Sequence, residues 1–291
     1  RQRQMCIRDS CMEDQKARAR ANAKGDAWGS FNDVWVELSD KVAATEFDGY
    51  DNDVIEGAKV VAIVRNGESV ESAAAGEDVE VVLDRTPFYA EMGGQQGDAG
   101  ELSAEGVSLT VSDTKNHNGL YAHVAHVTEG TLTVGATVTA ALDAERRGFL
   151  RRNHTATHLL DAALKQVLGE HVSQAGSLVT PEHLRFDFTH FEALSSEQLK
   201  AVEDLVNQQI FASKPVVTRV MGIDEAKAAG AVALFGEKYG DVVRVVSVGA
   251  EDQPFSRELC GGTHATNTAE IGLFKIISES CLLYTSDAAD E

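Results

Sequence analysis

The chain is poor in cysteine, which limits the ways in which its 291 residues can be cross-linked. Its four cysteines are Cys6, Cys11, Cys260 and Cys281, and three of them lie close to a terminus. This is not the dense cysteine spacing of a disulfide-stapled domain, so we expect a reduced, cytoplasmic protein. Cys260, the one cysteine far from both termini, is then free to bind a metal ion.

Long apolar runs and basic residues are also scarce. No apolar run approaches the ~18–20 residues that a membrane-spanning helix needs, and residues 1–10 lack a signal-peptide core. The 26 basic residues face 46 acidic ones, which gives a formal net charge of −20. Such acidity argues against broad, non-specific affinity for nucleic acid but allows a local basic patch. With 43% apolar residues and this length, the chain can form two domains, each with a core.

Both ends of the chain lack a pattern that joins them to the rest. Residues 1–10 and 281–291 resemble translated vector sequence, and disordered tails are the alternative interpretation. Residues 11–29 hold a charged helix-forming stretch without an apolar face, which we interpret as the remnant of a preceding region. We leave the two ends, with Cys6 and Cys281, out of the fold prediction.

Residues 30–143 carry short strand patterns at regular spacing. In residues 59–70 a strand, an Asn-Gly turn and a second strand follow one another, which predicts a hairpin. Further strands are predicted at residues 78–86, 107–113, 122–127 and 136–142. This spacing predicts a small antiparallel β-barrel or sandwich.

Residues 144–280 mix helix and strand patterns. Helices are predicted over residues 143–169, ended by Gly169, and over residues 195–213, where Ser195 and Gln198 form a capping box. Other predicted elements are strands at residues 184–190, 216–222, 241–249 and 272–280, and a short helix at residues 224–230. The predicted fold class is therefore α+β, a β-barrel-like domain followed by a mixed α/β domain.

Two pairs of metal-binding residue types lie far apart in this second region. His154 and His158 are four residues apart on a predicted helix, so they share one face. Cys260 and His264 are four residues apart in the glycine-rich stretch "ELCGGTHATNTAEIGLF". Either pair alone is a common coincidence, but three nitrogens and one sulfur together suit a tetrahedral Zn²⁺ ion. We predict that these four residues bind one zinc ion.

The role of this zinc stays open at the level of sequence. Four protein ligands are typical of a closed structural site, whereas the polar, glycine-rich surroundings are unlike those of a zinc finger. A metalloprotease is disfavoured, because its H-E-x-x-H motif supplies a general base directly after the first histidine. Here Thr155 follows His154.

Several longer motifs occur in order along the chain, namely "RRNHTATHLL", "HVSQAGSLV", "LRFDFTH", "LFGEKYGDVVRVVSVG" and "ELCGGTHATNTAEIGLFKIISES". Together they closely resemble the editing domain of the bacterial alanyl-tRNA synthetase family. "DRTPFYAEMGGQQGDAGEL", residues 84–102, resembles the glycine-rich motif of the barrel domain that precedes it. The resemblance covers essentially residues 12–280. It includes neither the aminoacylation domain nor the C-terminal oligomerisation domain, so we expect no ATP site and no tRNA charging from this chain.

The resemblance implies hydrolysis of serine or glycine from mischarged alanine tRNA, with the acceptor end of that tRNA as partner. It also implies that His154, His158, Cys260 and His264 are the zinc ligands. The need for hydrolysis is physical. A pocket that accepts alanine rejects glycine or serine by only ~10–200-fold, so a second site must remove the errors.

Pocket candidates also follow from the resemblance. Thr157 and Gln174 are candidates for contacting the serine hydroxyl; the alternatives are a hydroxyl bonded to its own helix and a solvated amide. Gly261 and Gly262 either bring N–H groups to the developing oxyanion or form a plain turn.

The clearest basic cluster precedes the two histidines. It consists of Arg146, Arg147, Arg151 and Arg152. Phosphate contacts there would place an RNA 3′ end near the metal; the alternative is a solvated helix start paired with Asp143 and Glu145. In "GGQQGDAG", Gly93 and Gly94 either contact the acceptor end or form a turn of the barrel.

Two other functions remain open beside editing within a synthetase. One is a freestanding trans-editing deacylase of the same superfamily. The other is a zinc-stabilised RNA-binding module without catalysis.

Overall fold

The computed structural model describes residues 31–232 and 239–280. The predictions for residues 1–10, 11–29 and 281–291 therefore lie outside the described residues. No helix within the described ranges is long and apolar enough to cross a membrane.

From residue 31 to residue 142 the structure describes one helix and eleven strands. They are α1 (Phe31–Lys41), β1 (Glu46–Phe47), β2 (Val54–Arg65), β3 (Glu68–Val70), β4 (Ser72–Ala74), β5 (Asp78–Leu83), β6 (Arg85–Thr86), β7 (Gly100–Ala104), β8 (Val107–His117), β9 (Leu120–Glu129), β10 (Thr131–Thr133) and β11 (Thr137–Leu142). The second part carries the long helix and the smaller sheets. Its elements are α2 (Ala144–Leu168), β12 (Gln174–Val179), β13 (Leu184–Phe188), α3 (Ser196–Phe211), β14 (Val216–Gly222), α4 (Ile223–Ala228), β15 (Val242–Gly249), β16 (Pro254–Leu259) and a 3₁₀ helix (Thr268–Ile271).

Six strands of the first part close into an antiparallel barrel. Their order is β11-β7-β8-β9-β5-β2, and β2 pairs back with β11 to complete the circle. Alternating residues of these strands fill the interior, among them Ile63, Leu83 and Leu109, all without solvent exposure. Asn66 and Gly67 form the predicted hairpin turn with φ of 54° and 80°, the left-handed values that match the strand twist. The α+β class and the antiparallel barrel are thus confirmed.

The second part is built around α2. Asp143 caps its start by accepting the Arg146 N–H, and Gly169, with φ of 114°, ends it. The apolar face of α2 packs on α3 around Leu159, Leu164 and Val206. The α3 capping box of Ser195 and Gln198 is present as predicted.

Two differences from the predicted elements concern the edges of this second part. A strand is predicted at residues 272–280, but these residues form none. They run along α3, where Glu203 accepts the Ile276 N–H and Asn207 accepts the Phe274 N–H. The short strands β12 and β16 were missed, because glycine, proline and serine weaken their strand pattern.

A buried ion pair joins the barrel to α2. The Arg147 side chain is 1% exposed and contacts the Asp98 carboxylate, just ahead of β7. Its remaining N–H groups donate to the carbonyl oxygens of Gly49 (2.6 Å) and Pro87 (2.9 Å). All three nitrogens of this guanidinium therefore donate to acceptors inside the protein. The prediction of a phosphate contact is wrong for Arg147, because its side chain is enclosed.

We expect Arg147→Met to destabilise the protein by roughly 3–5 kcal/mol, since it leaves the buried Asp98 carboxylate without its partner. The matched control is Arg152→Met, whose half-buried guanidinium donates only to the Gly148 carbonyl and lies over the Phe149 ring. Urea unfolding followed by circular dichroism measures both. Equal losses in the two variants would contradict the structural role of the pair.

A second buried polar group, His123, lies inside the barrel wall. Its side chain has no exposed surface; Nδ1 lies 2.8 Å from the Val81 carbonyl oxygen and Nε2 lies 2.7 Å from Thr86 Oγ1. A carbonyl only accepts, so Nδ1 carries the proton of the neutral ring. Burial lowers the pKa of His123 from 6.5 to about 4, because the charged ring is poorly solvated there.

This depressed pKa predicts a pH-dependent stability. Between pH 6.5 and about 4 the unfolded chain binds a proton at His123 that the folded chain does not. The contribution of neutral His123 to the free energy of unfolding is therefore complete above pH 6.5. It falls on acidification, by about 3 kcal/mol at pH 4. Denaturant titrations across this range should show that His123→Gln flattens the dependence of stability on pH. An unchanged slope in His123→Gln would refute this assignment.

Candidate metal centre

Four side chains from two distant segments converge beside the start of the second part. His154 and His158 come from one face of α2, and Cys260 and His264 come from the loop after β16. Their potential ligand atoms all lie within 4.8 Å of one another. The Cys260 Sγ lies 3.4 Å from His154 Nε2 and 3.3 Å from His264 Nε2. Tetrahedral Zn²⁺ ligands stand about 3.3–3.8 Å apart, so this spacing already approaches that of a metal site.

Each of the three histidines is held at its other ring nitrogen. His154 Nδ1 lies 2.7 Å from Gln95 Oε1, and His264 Nδ1 lies 3.2 Å from Thr155 Oγ1. His158 Nδ1 lies 2.9 Å from Glu258 Oε2, as an ion-pair contact whose angle is not that of a well-aligned hydrogen bond. Ligating histidines ordinarily use the second nitrogen in this way.

These contacts assign the protons. The Gln95 Oε1 also accepts the Thr263 N–H at 2.9 Å, which fixes the amide as an acceptor toward His154. The Thr155 hydroxyl donates to the Arg151 carbonyl, so it accepts from His264. A carboxylate faces His158. The proton therefore sits on Nδ1 in His154 and His264, whose Nε2 lone pairs point toward the Cys260 sulfur. Burial opposes charging of His158, but Glu258 and Cys260 hold its pKa well above the ordinary value.

The thiol and the supporting carboxylate have perturbed acidities. Burial opposes ionisation of Cys260, but the surrounding histidines, His154 first, hold its pKa well below the ordinary value. The Gly262 N–H also donates to Sγ at 3.4 Å. Burial likewise opposes ionisation of Glu258, yet His158 and the Ser256 hydroxyl keep its pKa below the ordinary value. A thiolate and three imidazole lone pairs form a donor set that fits Zn²⁺.

Gly262 is required by packing. A Cβ on this residue would lie 2.0 Å from His154 Cε1, so any side chain would displace a metal-binding ring. Its N–H already points to the Cys260 sulfur. The prediction that Gly262 donates to an oxyanion is therefore wrong. The Gly261 N–H, by contrast, meets no acceptor among the described residues, so that prediction stays.

The two pocket candidates have different surroundings. Thr157 is 6% exposed, and its hydroxyl donates to the Asn153 carbonyl of its own helix at 2.9 Å. Two hydroxyl lone pairs are left to accept a hydrogen bond. Gln174 is half-buried at the start of β12, opposite Phe188, and its amide makes no hydrogen bond within the described part of the chain.

Three arginines of the predicted basic cluster stay half-buried near the start of α2. Arg146 donates to the Gly97 carbonyl at 2.7 Å, and Arg151 lies 3.8 Å from an Asp53 carboxylate oxygen. Arg152 lies over the Phe149 ring. The alternative pairing with Asp143 and Glu145 does not occur, because Asp143 caps the helix instead.

The glycine-rich loop has a role that the sequence did not reveal. Gly93 and Gly94, with φ of 61° and 82°, form a tight turn in which Met92 and Gln95 pair. A Cβ on Gly94 would lie 2.4 Å from Ser177 Oγ, so the turn lies directly against β12. This turn brings Gln95 to His154. The predicted contact of Gly93 and Gly94 with RNA stays a prediction.

Glu258, unlike Gln95, was open to sequence reasoning. Ser256, Glu258 and Cys260 alternate along β16 and its end, and a period of two places them on one face. Gln95 gave no comparable signal, because only the folded barrel brings its loop to α2.

Two families of tRNA synthetase domains match parts of this chain. The family described as "tRNA synthetases class II (A)" matches residues 4–146. The family described as "Threonyl and Alanyl tRNA synthetase second additional domain" matches residues 243–281, which include Cys260 and His264.

The particular relatives are alanine--tRNA ligases. Those of Rhizobium meliloti (strain 1021) and Sinorhizobium medicae (strain WSM419) are 50% and 51% identical over 280 residues, 94% of this chain. That of Mesorhizobium japonicum is 47% identical over the same length. The chain spans about a third of the length of these relatives, 31–32%. The predicted resemblance to alanyl-tRNA synthetases is confirmed.

We expect Glu258→Gln to weaken zinc binding by about 10–100-fold, because the Nδ1 proton of His158 loses its carboxylate partner. Competition with a chromogenic chelator measures the affinity. The matched control is Glu251→Gln, which removes an exposed carboxylate paired with Arg219 on the same sheet. Equal zinc affinity in the two variants would show that Glu258 does not support the ligand.

Proposed function

We propose that this chain hydrolyses the ester of mischarged alanine tRNA, releasing serine or glycine from the 3′ end. The observation that carries the proposal is the prearranged set of three imidazoles and one thiolate, in a region related to alanine--tRNA ligases. Zn²⁺ bound there supplies Lewis-acid polarisation of an ester carbonyl or of a water molecule. The editing site is proposed to span residues 144–280, beside the barrel of residues 30–143.

The residues around the cluster suit an ester of serine. The lone pairs of the Thr157 hydroxyl can accept from a serine Oγ–H, because its own proton is already given to Asn153. The Gln174 amide supplies a second polar group. Alanine offers no hydroxyl to either group, so its ester gains nothing from them. This difference would make the site a second filter after the synthetic site.

The acceptor end of the tRNA is the proposed partner. The half-buried guanidinium groups of Arg146, Arg151 and Arg152 lie within the three turns of α2 that begin the helix and reach His154. Phosphate contacts along these turns would bring the terminal ester toward the cluster. Local positive charge is needed for this, since the chain as a whole is strongly acidic.

A zinc-stabilised RNA-binding module without catalysis is the second candidate. The observation that favours it is the set of four protein ligands, which is typical of closed structural zinc sites. A freestanding trans-editing deacylase would share the chemistry of the first proposal.

The test is hydrolysis of alanine tRNA charged with serine or with alanine, by purified protein whose zinc content has been measured. We expect loss of serine while the alanine ester stays intact. Thr157→Val, which removes one hydroxyl with little change of shape, should slow serine release by about tenfold or more.

Thr128→Val is the matched control, because that hydroxyl donates to the Ser108 carbonyl in the barrel. It should edit at the parent rate. A folded, zinc-loaded protein that leaves both esters intact would overturn the proposal in favour of the structural module.

A further inference from the structure

Three consecutive carbonyl groups of the metal-binding loop are held by two side chains. Arg244 Nη1 donates to the carbonyl oxygens of Cys260 (3.1 Å) and Gly262 (2.7 Å). The Tyr50 hydroxyl donates to the carbonyl of Gly261, between them, at 2.6 Å. Each peptide oxygen from Cys260 to Gly262 therefore accepts a hydrogen bond from a side chain.

The two side chains also hold each other. The Arg244 guanidinium lies 4.1 Å from the centre of the Tyr50 ring, in a cation–π contact. Arg244 belongs to β15, where Nη2 also donates to Thr218 Oγ1 at 3.3 Å. Tyr50 belongs to the barrel part, between β1 and β2, and its ring packs on Phe47. Burial raises the pKa of Tyr50, so its hydroxyl keeps the proton that it donates.

Holding the carbonyls fixes the opposite side of the same peptides. A trans peptide is planar, with C=O and the following N–H pointing in opposite directions, and the described residues contain no cis peptide. The N–H groups should therefore face the metal centre. Two of them do: Gly262 donates to Cys260 Sγ, and Thr263 donates to Gln95 Oε1. The third is the Gly261 N–H, which finds no acceptor among the residues that the structure describes.

We propose that Arg244 and Tyr50 are positioning residues that hold the two peptides flanking Gly261, so that the Gly261 N–H donates to the oxyanion forming on the substrate ester. The inference rests on the proposed function and adds to it a specific donor and the two side chains that aim it. Hydrogen-bond donors that are fixed before reaction stabilise an oxyanion without a reorganisation cost. Because Tyr50 comes from the barrel, this arrangement makes the barrel part of the editing site.

The sequence permits a direct spectroscopic test. Cys260–Gly261 is the one Cys-Gly dipeptide in the chain, so ¹³C-carbonyl cysteine with ¹⁵N-glycine isolates a single amide resonance. The probe is serine joined by an amide to 3′-amino-3′-deoxyadenosine, which resembles the terminal ester but resists hydrolysis. We expect its binding to shift the Gly261 proton downfield in the parent protein. The shift should shrink in Tyr50→Phe and in Arg244→Lys.

Kinetics supply the second readout. Tyr50→Phe keeps the aromatic ring but loses the hydroxyl donor. Arg244→Lys keeps the positive charge but loses the planar guanidinium and its several N–H donors. We expect kcat for serine release to fall by about 10–100-fold with KM within about twofold, since small misplacements act on the reacting geometry. Zinc content should stay that of the parent, because no ligand is changed. The controls are Tyr121→Phe, in the same aromatic cluster, and Arg219→Lys, on neighbouring β14.

The outcomes separate the two proposals. An analogue that fails to bind, with no ester hydrolysis by the parent, overturns the proposed function. An analogue that binds and leaves the Gly261 resonance unmoved overturns only the inference drawn from Tyr50 and Arg244. So does a kcat in both variants equal to that of their controls.

Discussion

The site depends on fixing three imidazole rings through the nitrogen that faces away from the cluster. Gln95, Thr155 and Glu258 each occupy one Nδ1, so the opposite sides of the three rings converge beside the Cys260 sulfur. Rings that are already oriented bind a divalent cation with little further loss of rotational freedom. The close approach of Gly262 to His154 and the burial of the cluster both follow from this convergence.

Side-chain contacts tie the barrel to the helical part around the cluster. The barrel part supplies Gln95 to a histidine, Tyr50 to the metal-binding loop and Asp98 to the base of α2. The buried Arg147–Asp98 pair holds α2 against the barrel, and the same helix carries His154 and His158 two and three turns later. A shift of the barrel against α2 would therefore change the orientation of the rings as well as the position of the loop.

The sequence predicted the elements whose patterns are local. The hairpin at Asn66, the capping box at Ser195 and the shared face of His154 and His158 depend on neighbours a few residues apart. Gln95 and Tyr50 lie 59 and 211 residues from their partners, so no periodicity reveals them. Arg147 was misassigned for the same reason. A cluster of four arginines predicts that all four side chains are exposed to solvent. Only the folded barrel places Asp98 beside one of them.

The central claim is that three imidazole nitrogens and one thiolate bind one zinc ion. X-ray absorption at the zinc edge of the purified protein tests it most directly. The account predicts one zinc per chain, with three nitrogens at about 2.0–2.1 Å and one sulfur at about 2.3 Å, the sulfur lost in Cys260→Ser. A protein that retains no zinc, or a zinc shell without sulfur in the parent, would contradict it.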